Sequence, residues 1–208
     1  MTLARTLATL LLGAGLLGPG LGLAGERQGD PARGRAAFEE KRCSRCHLPR
    51  GQPALGPALE ELRKPQGSFQ LASRLWNHVP AMFAVLEVEG LKWPEISALE
   101  MADLMAYLWA DPARDPAPDL FKGHVTLIRK GCLKCHSLKG EGGPVGPDLA
   151  ELRSDYEWPA GWAATMWTHT PRMAEVAVAR AVFYPRFSGD EMGNLVGFLR
   201  SIAVASTK

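Results

Sequence analysis

A five-residue motif that occurs twice constrains this chain more than any other feature of its sequence. The pattern Cys-x-x-Cys-His stands at residues 43–47 and again at residues 132–136. The chain has four cysteines, and the two copies of the motif use all of them. The cysteines therefore occur as two pairs, and each pair is followed directly by a histidine.

The spacing of the motif matches the chemistry of covalent haem attachment. On a helical turn, residues i, i+3 and i+4 share a face, so two thiols at that spacing can form thioether bonds to the two vinyl groups of one porphyrin. The histidine that follows is then held against the iron as its proximal ligand. We predict two covalently bound haem c groups, with thioether bonds from Cys43, Cys46, Cys132 and Cys135 and with His47 and His136 as proximal iron ligands.

Two other functions are compatible with a single Cys-x-x-Cys-His motif. One is a redox dithiol, which is expected in a βαβ setting. The other is half of a zinc site, which needs two further ligands at matching spacing. Because both copies open the same downstream pattern, we favour haem over either alternative.

Residues 1–24 have the pattern of a secretory signal peptide. Arg5 supplies a positive charge, residues 7–17 are apolar except for Thr9, and small residues precede a cleavage point after Ala24. The alternative is a membrane anchor, but glycines and a proline interrupt the apolar run, which is short for a span of about 20 residues. We expect export to the bacterial periplasm and a mature protein that is soluble or peripheral, with no stable membrane span after cleavage.

After residue 24 the sequence consists of two similar units in tandem, each of roughly ninety residues, which marks an internal repeat. Besides the cysteine motif, the units share a Gly-Pro-x-Leu element at 56–59 and 146–149 and a Trp-x-His-x-Pro-x-Met element at 76–82 and 167–173. Three prolines between the units exclude a helix there and favour an extended connection. The predicted division is a first domain at 25–111, a Pro-rich linker at 112–119 and a second domain at 120–208.

The hydrophobic patterns of both units predict helices joined by ordered loops, with no convincing strand, so the expected fold class is all-α. The first helix is expected to run from about Pro31 to Cys43 in the first unit and from about Leu120 to Cys132 in the second.

The last helix of each unit has a start signal and an apolar face. Ser97 with Glu100, and Ser188 with Glu191, have the spacing of capping boxes. An apolar stripe at helical spacing follows each box and is expected to pack in the core. Its members are Met101, Leu104, Met105, Leu108, Met192, Leu195, Val196 and Leu199.

Each unit resembles a class I cytochrome c domain, and the tandem resembles the small two-domain dihaem cytochromes of bacterial periplasms. The resemblance covers nearly all of both units. It is carried by the first helix with Gly34 and Phe38, the cysteine motif, the Gly-Pro-x-Leu element and a capped last helix with Tyr107 or Phe198. It implies two small helical folds, each wrapped around one haem.

The resemblance also implies two close contacts. The first and last helices of each unit should cross tightly, with Gly34 or Gly123 permitting the approach. The backbone carbonyl of Pro57 or Pro147 should accept the free N–H of the proximal histidine, which orients the ring and raises its basicity.

The chain departs from the family on the distal side of the expected haem. Where the family carries a methionine before a proline, this chain has Trp93 before Pro94 and Tyr184 before Pro185. Neither aromatic residue is a normal sixth ligand for an electron carrier. Tyr184 could bind ferric iron as a phenolate, but Trp93 could not, and the two copies should work alike.

The Trp-x-His-x-Pro-x-Met element offers other distal ligands. Its histidine and methionine are four residues apart, which on a regular helix places both on one face. We expect Pro80 and Pro171 to open a new helix instead, which favours methionine as the ligand and leaves histidine as the alternative. The expected distal residues are Met82 and Met173, or His78 and His169, with Trp76 and Trp167 as haem-pocket walls whose N–H groups can reach a propionate.

The resemblance implies electron transfer between periplasmic or membrane-associated redox proteins, a donor and an acceptor, and a carrier rather than an enzyme. Two alternatives stay open: a dihaem oxidoreductase that is peroxidase-like or acts on a small inorganic substrate, and the cytochrome subunit of a larger oxidoreductase. The formal net charge of +2 lacks the strongly basic field expected of a nucleic-acid-binding protein.

Overall fold

The structure is a computed structural model that describes residues 28–151 and 154–203. The predicted signal peptide at 1–24 lies outside the described residues. The described part is predominantly helical, which confirms the all-α prediction. Its helices are α1 (Pro31–Glu40), α2 (Leu59–Leu62), α3 (Ser68–Val88), α4 (Ala98–Tyr107), α5 (Leu120–Arg129), α6 (Pro159–Ala179) and α7 (Glu191–Ile202).

Short elements complete the fold. A small antiparallel hairpin pairs β1 (Ser137–Leu138) with β2 (Glu141–Gly142) in the second half. Single 3₁₀ turns occur at Cys43–Arg45, Pro112–Arg114, Cys132–Lys134 and Ser154–Glu157.

The first helix of each half ends earlier than predicted. Helix α1 stops at Glu40 and α5 at Arg129, about one turn before the cysteines that the sequence placed at their ends. Arg42 and Gly131 have φ of 64° and 72°, which is the left-handed region. A right-handed helix cannot contain such a residue, so the chain leaves the helix and forms a separate 3₁₀ turn at each pair of cysteines.

The first and last helices of each half cross closely, as the resemblance implied. Helix α1 packs on α4, and α5 packs on α7. A Cβ atom on Gly34 would overlap the Asp103 carbonyl oxygen, and one on Gly123 would overlap the Asn194 carbonyl oxygen. The two glycines therefore occupy equivalent crossing points where no larger residue fits.

The start of the last helix differs between the halves. Ser97 and Glu100 form the complete capping box that was predicted for α4. Helix α7 begins only at Glu191, and the hydroxyl of Ser188 donates to the Glu191 carboxylate instead of accepting its N–H. Gly189, with φ of 52°, inserts a left-handed turn between the serine and the helix, so the second capping-box prediction is wrong.

The apolar stripes of α4 and α7 are buried, as predicted. They belong to one hydrophobic cluster with residues from both halves of the chain. Phe38 joins α1 to this cluster, because its ring lies 5.5 Å from the Tyr107 ring. The two halves thus share a core, and the division into domains at 25–111 and 120–208 stays a prediction.

The Pro-rich linker at 112–119 is more ordered than predicted. The prolines were expected to exclude any helix, yet the linker opens with a 3₁₀ turn. The Asp111 side chain caps this turn. Asp115 then accepts hydrogen bonds from the backbone N–H groups of Ser68 and Phe69, at 2.8 and 3.0 Å. These bonds fix the linker to the start of α3.

The prediction that Pro80 and Pro171 open new helices is wrong. Helices α3 and α6 each run for 21 residues and pass through the proline. A proline inside a helix leaves the carbonyl four residues earlier without its N–H donor, which here means the carbonyls of Trp76 and Trp167. Both carbonyls receive a donor from the other half of the chain: Tyr184 O–H at 3.1 Å and Trp93 Nε1–H at 3.2 Å, respectively.

Candidate functional site

The two Cys-x-x-Cys-His motifs adopt the same local structure. In the first copy, the N–H groups of Cys46 and His47 both donate to the Cys43 carbonyl, at 3.2 and 3.0 Å. The second copy repeats these bonds at 3.2 and 2.9 Å. Each motif is therefore a tight turn closed on the carbonyl of its first cysteine.

All four cysteines are free thiols and are half-buried. Cys43 and Cys132 pack against the hydrophobic core. Burial raises the pKa of each of these two thiols to about 11. Catalytic dithiols of the Cys-x-x-Cys type have a lowered pKa instead, so this environment does not match the redox-dithiol alternative.

The histidines of the two motifs are oriented by the backbone carbonyls that the resemblance implied. His47 Nδ1 lies 3.0 Å from the Pro57 carbonyl oxygen, and His136 Nδ1 lies 3.0 Å from the Pro147 carbonyl oxygen. Because a carbonyl can only accept, Nδ1 must carry the proton. With the proton on Nδ1, the Nε2 atom is the one whose lone pair can bind a metal.

The glycine of each Gly-Pro-x-Leu element makes room for the imidazole. A Cβ atom on Gly56 would lie 2.6 Å from His47 Cε1, and one on Gly146 would overlap the His136 ring. The Gly56 N–H also donates to the Cys46 carbonyl at 3.0 Å, and the Gly146 N–H donates to the Cys135 carbonyl at 2.8 Å. The glycine was recognised in the sequence as part of the repeat, but its contact with the ring could not be predicted from its position alone.

The second site has an additional loop that the first lacks. The β1–β2 hairpin is held by Asp148, whose carboxylate accepts hydrogen bonds from the Ser137 hydroxyl and from the N–H groups of Lys139, Gly140 and Ala150. These bonds, the Gly140 N–H first among them, lower the pKa of Asp148 to about 2. The two sites therefore differ beside the histidine.

The candidate distal ligands lie in two different environments. His78 and His169 are exposed, and the Nδ1 atom of each lies 2.7 Å from a carbonyl of its own helix, that of Arg74 or of Thr165. Met82 and Met173 are half-buried and pack against the hydrophobic core. The continuous helices thus give the methionines an apolar environment and leave the histidines in solvent.

The two tryptophans that were expected to reach a haem propionate donate to protein carbonyls instead. Trp76 Nε1 donates to the Pro185 carbonyl at 2.5 Å, and Trp167 Nε1 donates to the Pro94 carbonyl at 2.8 Å. Both side chains are buried. In each case the acceptor belongs to the other half of the chain.

Tyr184 is a neutral phenol in this structure. Burial raises its pKa above the ordinary value, and its O–H donates to the Trp76 carbonyl. The phenolate that would bind ferric iron is therefore disfavoured. Trp93 and Tyr184 each donate a polar hydrogen to a carbonyl of a long helix. These two hydrogen bonds could not be inferred from the sequence.

A cleft of about 340 Å³ lies between the start of α4 and helix α6. Ile96, Ser97 and Ala98 line it from the first half, and Trp158, Thr165 and His169 line it from the second. His169 is thus the one distal candidate with a position on this cleft.

Within residues 28–151 and 154–203, no group of three or more His, Cys, Asp or Glu side chains is arranged to hold a metal ion. A structural zinc site needs four ligands, so the described residues do not provide one.

No helix in the described ranges combines the length and the apolar character needed to cross a membrane.

Comparison with protein-family models, with curated proteins and with solved structures gives no match for this chain.

Proposed function

We propose that the protein is a class I dihaem cytochrome c that carries single electrons between redox partner proteins. The observation that carries this proposal is the repeated turn that contains both cysteines and a histidine whose Nδ1 atom lies 3.0 Å from a backbone carbonyl oxygen. This donor set fits a covalently attached haem, because it supplies two sulfur atoms for thioether bonds and a free Nε2 for iron. It recurs in both halves with the same hydrogen bonds.

The residues that would hold the two groups are Cys43, Cys46 and His47 in the first site and Cys132, Cys135 and His136 in the second. When bound, haem supplies a one-electron couple whose potential depends on the axial ligands and on burial. The Pro57 and Pro147 carbonyls would fix the tautomer of the proximal rings and raise their basicity.

Met82 and Met173 are proposed as the distal ligands. Their support is the half-buried position of each thioether against the core, where packing can hold it in place. The histidine alternative is weakened because His78 and His169 face solvent. A methionine ligand raises the potential of a haem relative to a second histidine.

Export to the periplasm is part of the same proposal. Covalent haem attachment in bacteria takes place outside the cytoplasm, and the pattern of residues 1–24 is that of a secretory signal. The donor and acceptor would be redox proteins of that compartment or of its membrane, or a larger oxidoreductase of which this chain is the cytochrome subunit.

The proposal is tested by a spectroscopic redox titration of the purified, exported protein. We expect a low-spin spectrum, two one-electron steps and no spectral change when carbon monoxide is added to the reduced protein. His136→Ala should abolish one of the two steps. His124→Ala removes an exposed histidine outside both motifs and should leave the titration unchanged.

Carbon monoxide binding by the unmodified reduced protein, or rapid reaction with peroxide, would contradict the electron-carrier proposal. Either result would favour the oxidoreductase alternative, in which one iron keeps an open position.

A further inference from the structure

The two halves of the chain exchange hydrogen bonds at equivalent positions. Tyr184 donates to the Trp76 carbonyl, and Trp76 Nε1 donates back to the Pro185 carbonyl. Trp93 donates to the Trp167 carbonyl, and Trp167 Nε1 donates back to the Pro94 carbonyl. Each exchange joins one long helix to the segment that precedes the last helix of the other half.

Ring stacking reinforces both exchanges. The Trp76 and Tyr184 rings stack with centroids 4.7 Å apart, and the Trp93 and Trp167 rings stack at 4.3 Å. Stacked aromatic pairs of this kind are favourable beyond the area that they bury. The repeated geometry assigns the same role to both contacts.

The prolines explain why these contacts are specific. Because Pro80 and Pro171 have no N–H, the carbonyls of Trp76 and Trp167 lack their helical donors. A buried carbonyl without a donor is unfavourable, because it loses its hydrogen bond to water and gains none in the protein. Trp93 and Tyr184 donate to these carbonyls. Each segment therefore has one position along the long helix of the other half in which the aromatic donor and the helix carbonyl are both hydrogen-bonded.

The segments fixed in this way lie beside the Cys-x-x-Cys-His turns. In the second half, Lys130 Nζ, two residues before Cys132, donates to the Arg186 carbonyl at 2.6 Å and contacts the Glu191 carboxylate at 2.7 Å. In the first half, the equivalent Lys41 contacts Glu100, the capping residue of α4, at 2.8 Å. Glu95, within the first segment, is also close enough to Lys41 for the two charges to interact. A displacement of residues 93–96 or 184–187 would therefore act next to a candidate haem.

We propose that Trp76 and Trp167 are positioning residues that act across the two halves: Trp167 fixes residues 93–96 beside the first site, and Trp76 fixes residues 184–187 beside the second. The part of this inference that concerns haem rests on the proposed function. The positioning itself follows from the hydrogen bonds and ring contacts.

Asn77 strengthens the contact at the second site alone. Its side-chain amide accepts the Phe187 N–H at 2.8 Å and donates to the Phe187 carbonyl at 2.6 Å. The equivalent position in α6 is Thr168, which lines the cleft beside Ile96. The second segment is thus held by more bonds than the first, and it should respond less to the loss of one of them.

The first experiment measures hydrogen exchange of the full chain by mass spectrometry. Trp76→Phe and Trp167→Phe keep a ring and remove the N–H donor, and Trp109→Phe at a half-exposed position is the control. Trp167→Phe should speed exchange at residues 93–97 roughly fivefold, the effect of losing one hydrogen bond worth about 1 kcal/mol. Trp76→Phe should speed exchange at residues 184–188 by a smaller factor.

A second variant covers the case in which a tryptophan variant does not fold. Tyr184→Phe removes only the hydroxyl that serves the Trp76 carbonyl, and it should loosen residues 184–188 while residues 93–97 stay unchanged. If each tryptophan variant affects only the segment of its own half, or neither segment, the proposal is overturned.

The second experiment measures the absorption spectrum and midpoint potential of each haem site separately. In full-length protein with Cys43→Ala and Cys46→Ala, only the second site can be loaded, and Trp76→Phe should shift its absorption spectrum and midpoint potential while Trp167→Phe should not. The complementary protein with Cys132→Ala and Cys135→Ala should give the reverse result. A shift caused by the tryptophan of the same half would overturn the proposal. If no protein carries haem, the proposed function fails, and the hydrogen-exchange result still decides whether the two segments are fixed across the halves.

Discussion

The backbone of Gly123 in α5 lies directly against the carbonyl oxygen of Asn194 in α7. A Cβ atom at this position would overlap that oxygen and would lie 2.7 Å from the Cβ atom of Phe198. Gly34 has the same relationship to Asp103 and Tyr107 in the first half. The two helix crossings are therefore equivalent, and each depends on the absence of a side chain.

Replacing Gly123 by alanine should destabilise the protein by about 1–3 kcal/mol, because the added methyl group forces the helices apart. The measurement is chemical denaturation followed by circular dichroism. Gly193→Ala is a matched control, since the nearest neighbour of its Cβ atom would be the Phe69 side chain, at an ordinary contact distance of 3.4 Å. The control should be neutral or should stabilise the protein by up to about 1 kcal/mol through helix propensity. Equal losses from both variants would contradict the close crossing.

Local patterns in the sequence predicted the features that depend on neighbouring residues. The Ser97–Glu100 capping box and the buried stripe of α4 were both anticipated correctly. The glycine at each helix crossing was instead implied by the resemblance, since its partner lies about 70 residues away. The course of the chain at Pro80 was not anticipated, because the group that compensates for the missing N–H is Tyr184, more than a hundred residues away. No local pattern contains that partner.

At the candidate functional site, too, some contacts could be expected before the structure was known and others could not. The hydrogen bond from His47 to the Pro57 carbonyl was expected from the resemblance. The acceptor of the Trp76 N–H was misjudged, because it is a carbonyl of the opposite half. Met82 was favoured over His78 on the expectation that Pro80 opens a new helix, whereas the half-burial of Met82 and the exposure of His78 arise from how the continuous helix α3 packs.

Asp148 should hold the β1–β2 hairpin in a pH-dependent way. Its folded pKa of about 2 is below the ordinary value of 3.8, chiefly because the Gly140 N–H favours the charged form. A lowered pKa means that the carboxylate contributes stability above pH 3.8 and that this contribution is lost as the pH falls toward 2. The amide signals of Lys139 and Gly140 in NMR spectra should titrate with a midpoint near 2.

The matched control for this titration is Asp148→Asn, which keeps an acceptor oxygen and cannot ionise. Its amide signals should show no transition over the same pH range. A midpoint near 3.8 in the unmodified protein would mean that the carboxylate does not form these hydrogen bonds in solution.

Substitution can distinguish the two distal ligands that the proposed function allows at each site, because the two candidates of each helix lie in different environments. Met82→Ala should leave one iron without its sixth ligand, giving a high-spin signal, carbon monoxide binding on reduction and a lower potential at that site. Met173→Ala should do the same at the other site. His78→Ala and His169→Ala should leave the spin state intact.

Met105→Leu controls for core packing in this series. Met105 is a buried methionine in the stripe of α4, and a volume-conserving change there should cost less than about 1.5 kcal/mol and leave the spin state unchanged. If the histidine variants produce the high-spin signal instead, the distal role belongs to His78 and His169.

The mass of the denatured, exported protein tests most directly whether each Cys-x-x-Cys-His turn carries one covalent haem. The protein should be produced in a bacterial host that attaches haem to exported chains. We predict the mass of the processed chain plus two haem groups, with one attachment weakened or lost in Cys46→Ser or Cys135→Ser. A mass equal to that of the bare polypeptide, or to the polypeptide with a single haem, would show that the protein is not a dihaem cytochrome.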